Sequence, residues 1–241
     1  MGKRIITQRR GRGSPRYKSP SHRYQGEVKY PNLDEGKTVT GQVIAFVDDA
    51  GRTAPLAEVL LEDFRKIKMI APQGVKKGDL IKLGSGGRSQ TGDVMPLGRI
   101  TEGSNVFNIE ARPRDGGKLV RASGSQAYVV GHERSTNRTQ IKLPSKKMVF
   151  IDSNSLATVG KAAGSGRRDK PMVRAGQGFH RRKARGKMYP KVKGRAMNAV
   201  DHPHGGGRHP HVGRPTTIKR GTSPGRKVGH IAAKRTGLKK R

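Results

Sequence analysis

Four of the chain's eight histidines fall in one short run, His202-Pro203-His204-Gly205-Gly206-Gly207-Arg208-His209-Pro210-His211, directly after Asp201. Imidazole titrates near neutrality and ligates metals, so two chemistries can be weighed against this run. A zinc site wants three or four ligands with oriented partners behind them. Here Asp201 is the one nearby carboxylate, cysteine is absent and cations surround the run, and the spacing matches no recognised zinc pattern. The second chemistry is general-base catalysis by His202. A base must lie within about 3 Å of its proton, and nothing in a sequence places it there. A third reading accounts for more of the residues. Three successive glycines let the backbone approach a partner closely, Pro203 fixes its own φ, and the histidines supply hydrogen bonds to a ligand or to the neighbouring backbone. Arg195 and Arg208 lie at the two ends of the stretch from Gly194 to Arg208, with Arg181-Arg182-Lys183 and the run from Arg214 to Arg220 outside it. The ligand expected is a polyanion, with nucleic acid as the leading candidate.

The elements that must position this loop are read from charge and hydropathy. The 241 residues carry a formal charge of +35, with 31% apolar and 4% aromatic residues, so any core is modest and much of the chain is expected to fold on a partner. Residues 1–30 hold 9 basic and 1 acidic side chains, residues 31–160 hold 19 and 14, and residues 161–241 hold 24 and 2. Such steps describe a globular body with two basic arms. The N-terminal arm, Arg9-Arg10-Gly11-Arg12-Gly13-Ser14-Pro15-Arg16-Tyr17-Lys18 and on through His22-Arg23-Tyr24, shows no helical or strand period. Its guanidinium groups suit phosphates and its tyrosines offer flat faces to bases. Plain solvated tail is the alternative.

Between the arms, short β-rich runs alternate with turn residues. They are Thr38 to Val47, Ala57 to Leu61, Arg65 to Ile70 and Asp79 to Leu83, followed after a glycine-rich linker by Asn105 to Glu110, Ala127 to Gly131, Thr139 to Leu143, Lys147 to Ile151 and Ala157 to Val159. This spacing predicts two small β barrels or sandwiches, over 37–84 and 94–160, joined by a flexible or turn-forming connection at 85–93. Residues 1–36 and 161–241 are then irregular basic extensions. Neither half holds a carboxylate pair with catalytic character: Asp48-Asp49 and Glu62-Asp63 sit beside turns, where solubility and capping are the expected roles.

Several functions are excluded. The longest apolar run, Val43 to Val47, is far short of a membrane span, and the start of the chain turns polar by Thr7, so a soluble, unexported protein without a membrane partner is expected. There is no cysteine nucleophile or disulfide. Ile6 stands where N-myristoylation needs Ser or Thr. The glycines of 84–92 do not form a nucleotide-binding loop, and the one Gly36-Lys37-Thr38 has Pro31 where the first glycine is required. No cofactor is expected.

The run Met197-Asn198-Ala199-Val200-Asp201-His202-Pro203-His204-Gly205-Gly206-Gly207 resembles the signature of the L-two family of large-ribosomal-subunit proteins. The likeness extends, in order, to Met69-Ile70-Ala71-Pro72-Gln73-Gly74-Val75-Lys76-Lys77-Gly78-Asp79, Pro96-Leu97 through Asn108-Ile109-Glu110, and Leu156-Ala157-Thr158-Val159-Gly160. The arm from Arg9 to Tyr24 is similar to the archaeal and eukaryotic form. One departure is Lys193-Gly194-Arg195, where the family usually reads Arg-Gly and a small residue; lysine keeps the charge without the bidentate fork. The resemblance implies a mainly β fold, an oligonucleotide-binding-type barrel followed by a Src-homology-three-like barrel, with both extensions threaded into large-subunit rRNA. It implies a primary rRNA binder in the cytoplasmic ribosome, not an enzyme, that supports subunit association, tRNA binding and assembly of the peptidyl transferase centre. Neighbouring ribosomal proteins and the small subunit are the implied protein partners, with tRNA reached indirectly. Residues expected to touch RNA are Arg9, Arg10, Arg12, Arg16, Tyr17, His22, Arg23, Arg167, Arg168, Arg181, Arg182, Lys183, Arg185, Lys193, Arg195, Asn198, Asp201, His202, His204, Gly205, Gly206, Gly207, Arg208, Arg214, Lys219 and Arg220. The alternatives are a DNA-compacting or general nucleic-acid binder, and a metal-dependent enzyme.

Overall fold

The computed structural model describes residues 2–33 and 36–237. The chain divides into two compact units, Ser21–Met172 and the pair of segments Met1–Pro20 and Val173–Arg241. The first is mainly β. Its strands are β1 (Thr38–Val47), β2 (Leu56–Leu61), β3 (Lys66–Ile70), β4 (Leu80–Gly84), β5 (Val94–Pro96), β6 (Asn105–Phe107), β7 (Ala127–Glu133), β8 (Arg138–Lys142), β9 (Met148–Asp152) and β10 (Leu156–Val159). They pair in the order β3-β2-β1-β4-β5-β10-β6-β7-β8-β9. All neighbours are antiparallel except β4 and β5, which run parallel through Leu83 and Val94.

Nine of these strands lie where alternation and turn residues predict them. The exception is β5, only three residues long, which carries too little sequence to show a period of two. Alternation works because successive side chains point to opposite faces: in β1, Val39 and Val43 are buried while Gln42 is exposed. Two hydrophobic clusters follow the two halves of the sheet. Val39, Val43, Val59, Leu61, Met69, Ile81 and Leu83 pack in one, and Leu97, Val106, Ile109, Val129, Ile141, Ala157 and Val159 in the other. A third, of Val28, Ala54, Leu56, Ile70, Phe107 and Ala162, takes residues from both halves and from beyond each end.

Polar side chains hold the connections. Asp93 is buried and accepts backbone N–H groups from Lys82 at 2.9 Å, Arg88 at 3.1 Å and Gln90 at 3.3 Å, which ties the glycine-rich turn to β4. Tyr30 is buried, and its hydroxyl donates to the Asn108 carbonyl at 2.7 Å and shares a 2.6 Å hydrogen bond with Thr158. Burial pushes the Tyr30 phenol well above its ordinary pKa. Asp49, expected to serve solubility and capping, does cap its turn but is buried and not exposed for solubility. It pairs with Arg52 and accepts from Gly51 N at 2.8 Å, while Arg52 also donates to the Gly26 carbonyl at 2.9 Å.

In the second unit two helices interrupt segments that show no helical period. They are α1 (Ile6–Gly11) and α2 (Ala175–Lys183). Gly176 and Gly178 depress the helix propensity of α2. Its last turn, His180-Arg181-Arg182-Lys183, places four basic side chains against the negative end of the helix dipole. Gly178 is buried because the ring of Tyr189 packs over it, 3.2 Å from where a Cβ would stand. Two short parallel strands, β11 (Thr217–Ile218) and β12 (His230–Ile231), complete the unit.

Candidate nucleic-acid interface

The histidine-glycine loop curls around the backbone of Met197 and Asn198. The Asn198 carbonyl accepts from Asp201 N at 3.0 Å and His202 N at 3.2 Å, and the Met197 carbonyl accepts from Gly206 N at 3.0 Å. Gly205 N donates back to the His202 carbonyl at 2.9 Å. Lys3 N, from the start of the chain, donates to the Val200 carbonyl at 2.8 Å and stitches the N-terminal segment to this loop. The curl is tight enough to demand its glycines. Gly206 and Gly207 have φ of +88° and +89°, and a Cβ on Gly205 would collide with the Met197 and Asn198 carbonyl oxygens.

Gly194 is the floor under His202, since a Cβ there would run into the imidazole. The two rings of His202 and His204 meet edge to face at 5.1 Å. His202 Nδ1 accepts the backbone N–H of His204 at 3.0 Å. That bond leaves the proton of the neutral ring on Nε2, so the neutral imidazole presents a donor and no free lone pair. In this geometry His202 Nδ1 is occupied within the loop, and the imidazole helps to lock the loop's shape. Among the described residues, no three His, Cys, Asp or Glu side chains converge as a metal site.

Burial first, and the neighbouring His204 second, hold the His202 pKa below its ordinary value. The folded loop therefore prefers the neutral ring. The unfolded chain takes up the proton first as pH falls through about 6.5, so the contribution of His202 to loop stability is present above that pH and declines below it. A histidine Cε1 titration by NMR is expected to give His202 a midpoint below the ordinary imidazole value of about 6.5. A midpoint at or above that value would contradict the locked geometry.

Of the residues expected to touch RNA, most lie in the unit built from both chain ends. Arg9, Arg10, Arg12, Arg16, Arg181, Arg182, Lys183, Lys193, Arg195, Asn198, Gly207, Arg208, Arg214, Lys219 and Arg220 are exposed there, while Tyr17, Arg185, Asp201, His202, His204, Gly205 and Gly206 are half-buried. A cavity of about 500 Å³ opens beside the loop, lined by Lys3, Arg214 and Arg226 as well as His202 and the three glycines. His22, Arg23, Arg167 and Arg168 belong to the β unit instead. Arg167 is partly occupied there, its Nε donating to Ser123 Oγ at 2.6 Å. Asp201 is the only carboxylate side chain in residues 1–20 and 173–241, against 27 lysines and arginines. Such a surplus has no internal counter-charge and calls for an external polyanion. Lys3 and Arg226 are not singled out by sequence, because their roles arise from contacts with residues far away in the chain.

A family model described as Ribosomal Proteins L2, C-terminal domain, matches residues 90–226. The chain is 50% identical over 243 residues to the large ribosomal subunit protein uL2 of Methanococcus vannielii, covering 99% of this chain and all of the relative. It is 50% identical over 245 residues to the protein of that name from Methanocaldococcus jannaschii, and 49% identical over 240 residues to the one from Desulfurococcus amylolyticus, with full coverage of both chains in each case.

Proposed function

We propose, from the premise that the chain belongs to the archaeal-type ribosomal protein L2 family, that it binds rRNA through the unit formed by its two ends and thereby shapes the large subunit. The protein is a structural constituent of the large ribosomal subunit and not an enzyme. It works in the cytoplasmic ribosome, among rRNA and other ribosomal proteins. The finer role is to support subunit association, tRNA binding and assembly of the peptidyl transferase centre, with tRNA reached indirectly.

The observation that carries this reading is the content of 27 lysines and arginines against one carboxylate side chain in residues 1–20 and 173–241, the two segments that form the unit with a loop whose glycines permit close approach. The arginines and lysines of both ends take phosphates, Tyr17 offers a face to a base, and Asn198, Asp201, His202, His204 and Gly205 to Gly207 form the contact nearest the functional centre. His22, Arg23, Arg167 and Arg168 add contacts from the β unit. In that unit we take 37–84 as the oligonucleotide-binding-type barrel and 94–160 as the Src-homology-three-like barrel, joined at 85–93. Most buried residues of 37–84 pack in one hydrophobic cluster and most of those of 94–160 in another, with Val94 joining the first, which supports this division. Residues 1–36 and 161–241 are the two basic extensions. An irregular, glycine-rich contact surface favours folded RNA over a uniform duplex.

Sedimentation through sucrose at moderate and then high salt tests the reading. The chain is expected to stay with the large subunit after loosely bound basic proteins are stripped; release with them, or migration with DNA, would make it a general nucleic-acid binder. A quantitative form uses α2. Replacing Arg181, Arg182 and Lys183 by glutamine is expected to reduce the slope of log affinity against log salt by about 2–3, close to one per phosphate contact. An unchanged slope would remove α2 from the interface.

A further inference from the structure

Resting on the rRNA reading above, we propose that the protein carries a pocket for a single unstacked nucleobase, formed where residues 15–20 lie over the C-terminal end of α2. The cavity measures about 320 Å³, and Tyr17, Phe179, Met188 and Tyr189 line it together with Pro15 and Pro20. That volume is at the lower end of ligand pockets, which run from about 300 to 1,000 Å³; it suits one nucleotide and not a stretch of helix.

The pocket is built from opposite ends of the chain. Gly186, at φ +61°, brings the turn after α2 so close to the backbone of Lys18 and Ser19 that a Cβ would stand 2.7 Å from it. Gly178 lets Tyr189 seat against the helix. The rings are steadied by cations: Lys183 Nζ lies 5.8 Å from the Phe179 centroid, and Arg182, which does not line the cavity, lies 5.2 Å from that of Tyr189. Phe179 is nevertheless 44% exposed, a large apolar surface left facing water.

Two properties select the occupant. The aromatic and proline walls favour a flat, weakly polar group. Arg16, Lys18, Lys183 and Lys187 also line the cavity, and no Asp or Glu lines it among the described residues, so the cations repel one another until an anion enters. A nucleotide joins both features, its base stacking on a ring and its phosphate lying among the cations. A base within a duplex has both faces covered, so the occupant comes from a loop, bulge or single strand.

The test is ultraviolet cross-linking of assembled large subunits containing the full chain, with nucleotide–peptide adducts mapped by mass spectrometry. Adducts are expected on Tyr17, Phe179 or Tyr189. Phe179→Leu, which keeps an apolar side chain but no ring, should lower their yield by about fivefold or more, and Phe179→Tyr should restore it, since loss of one base–ring stack weakens binding by about 5- to 100-fold. Adducts elsewhere on the chain with none on these three rings would overturn the pocket and leave RNA binding standing. A protein cross-linked through Lys183 or Lys187, with the rings free of adducts, would replace the base by a peptide. A chain without any nucleotide adduct would overturn the rRNA reading itself. The wild-type map decides the matter even where Phe179→Leu fails to assemble.

Discussion

Replacing Glu110 by alanine is expected to destabilise the β unit by about 3–5 kcal/mol, among the largest effects of any single side chain. Glu110 is only 1% exposed, and its carboxylate accepts from Gly116 N at 2.8 Å, Leu156 N at 2.9 Å and Arg114 N at 3.1 Å. One side chain thus ties the turn after β6 to the first residue of β10, and its removal leaves three donors without their acceptor. Each such loss costs about 1–3 kcal/mol where water cannot replace the partner. Glu110→Gln keeps a single carbonyl oxygen and turns its amide donors toward other donors, so an intermediate loss is expected. Glu62→Ala, at an exposed position, should stay within about 0.5 kcal/mol of the parent. Urea titration of the three variants checks the order. Equal midpoints for Glu110→Ala and Glu62→Ala would show that the carboxylate holds nothing.

The second large effect is expected at the loop. Gly205→Ala puts a methyl group onto the carbonyl oxygens of Met197 and Asn198, and backbone, unlike a flexible side chain, has little room to move. Relief requires breaking the Gly206 N to Met197 O or the Gly205 N to His202 O hydrogen bond, and either opens the curl that carries His202. A penalty of about 3 kcal/mol corresponds to roughly 100-fold weaker association with large-subunit RNA under the proposed function. Gly221→Ala is the matched control. It lies in the same basic segment, has no positive φ, and its Cβ would meet nothing within 4 Å. Competition between each variant and the parent chain during subunit assembly reads the difference. Equal incorporation of both alanine variants would mean that the loop closes around its partner in some other geometry.

Strand positions were legible because burial on one face of a sheet imposes a period of two, which β1, β2 and β8 carry openly. The polyanion preference was equally legible, since charge adds up regardless of fold. Helix α2 was not, because its glycines oppose helix formation and its apolar side is little more than Phe179. The burial of Asp49, Asp93 and Glu110 is not legible in the sequence, because a turn or strand end suits an exposed carboxylate equally well; each is buried and accepts backbone N–H groups.

By itself the sequence determined the kind of backbone in the middle of the chain, the sign and placement of its charge, and the glycines that make close approach possible. These are local or additive properties. Only the tertiary structure decided which carboxylates are buried, which His202 nitrogen carries the proton, and that Tyr17 meets Phe179 and Tyr189 around one cavity. The reason is that desolvation, hydrogen-bond partners and cavity walls are set by neighbours in space, and here those neighbours come from distant parts of the chain.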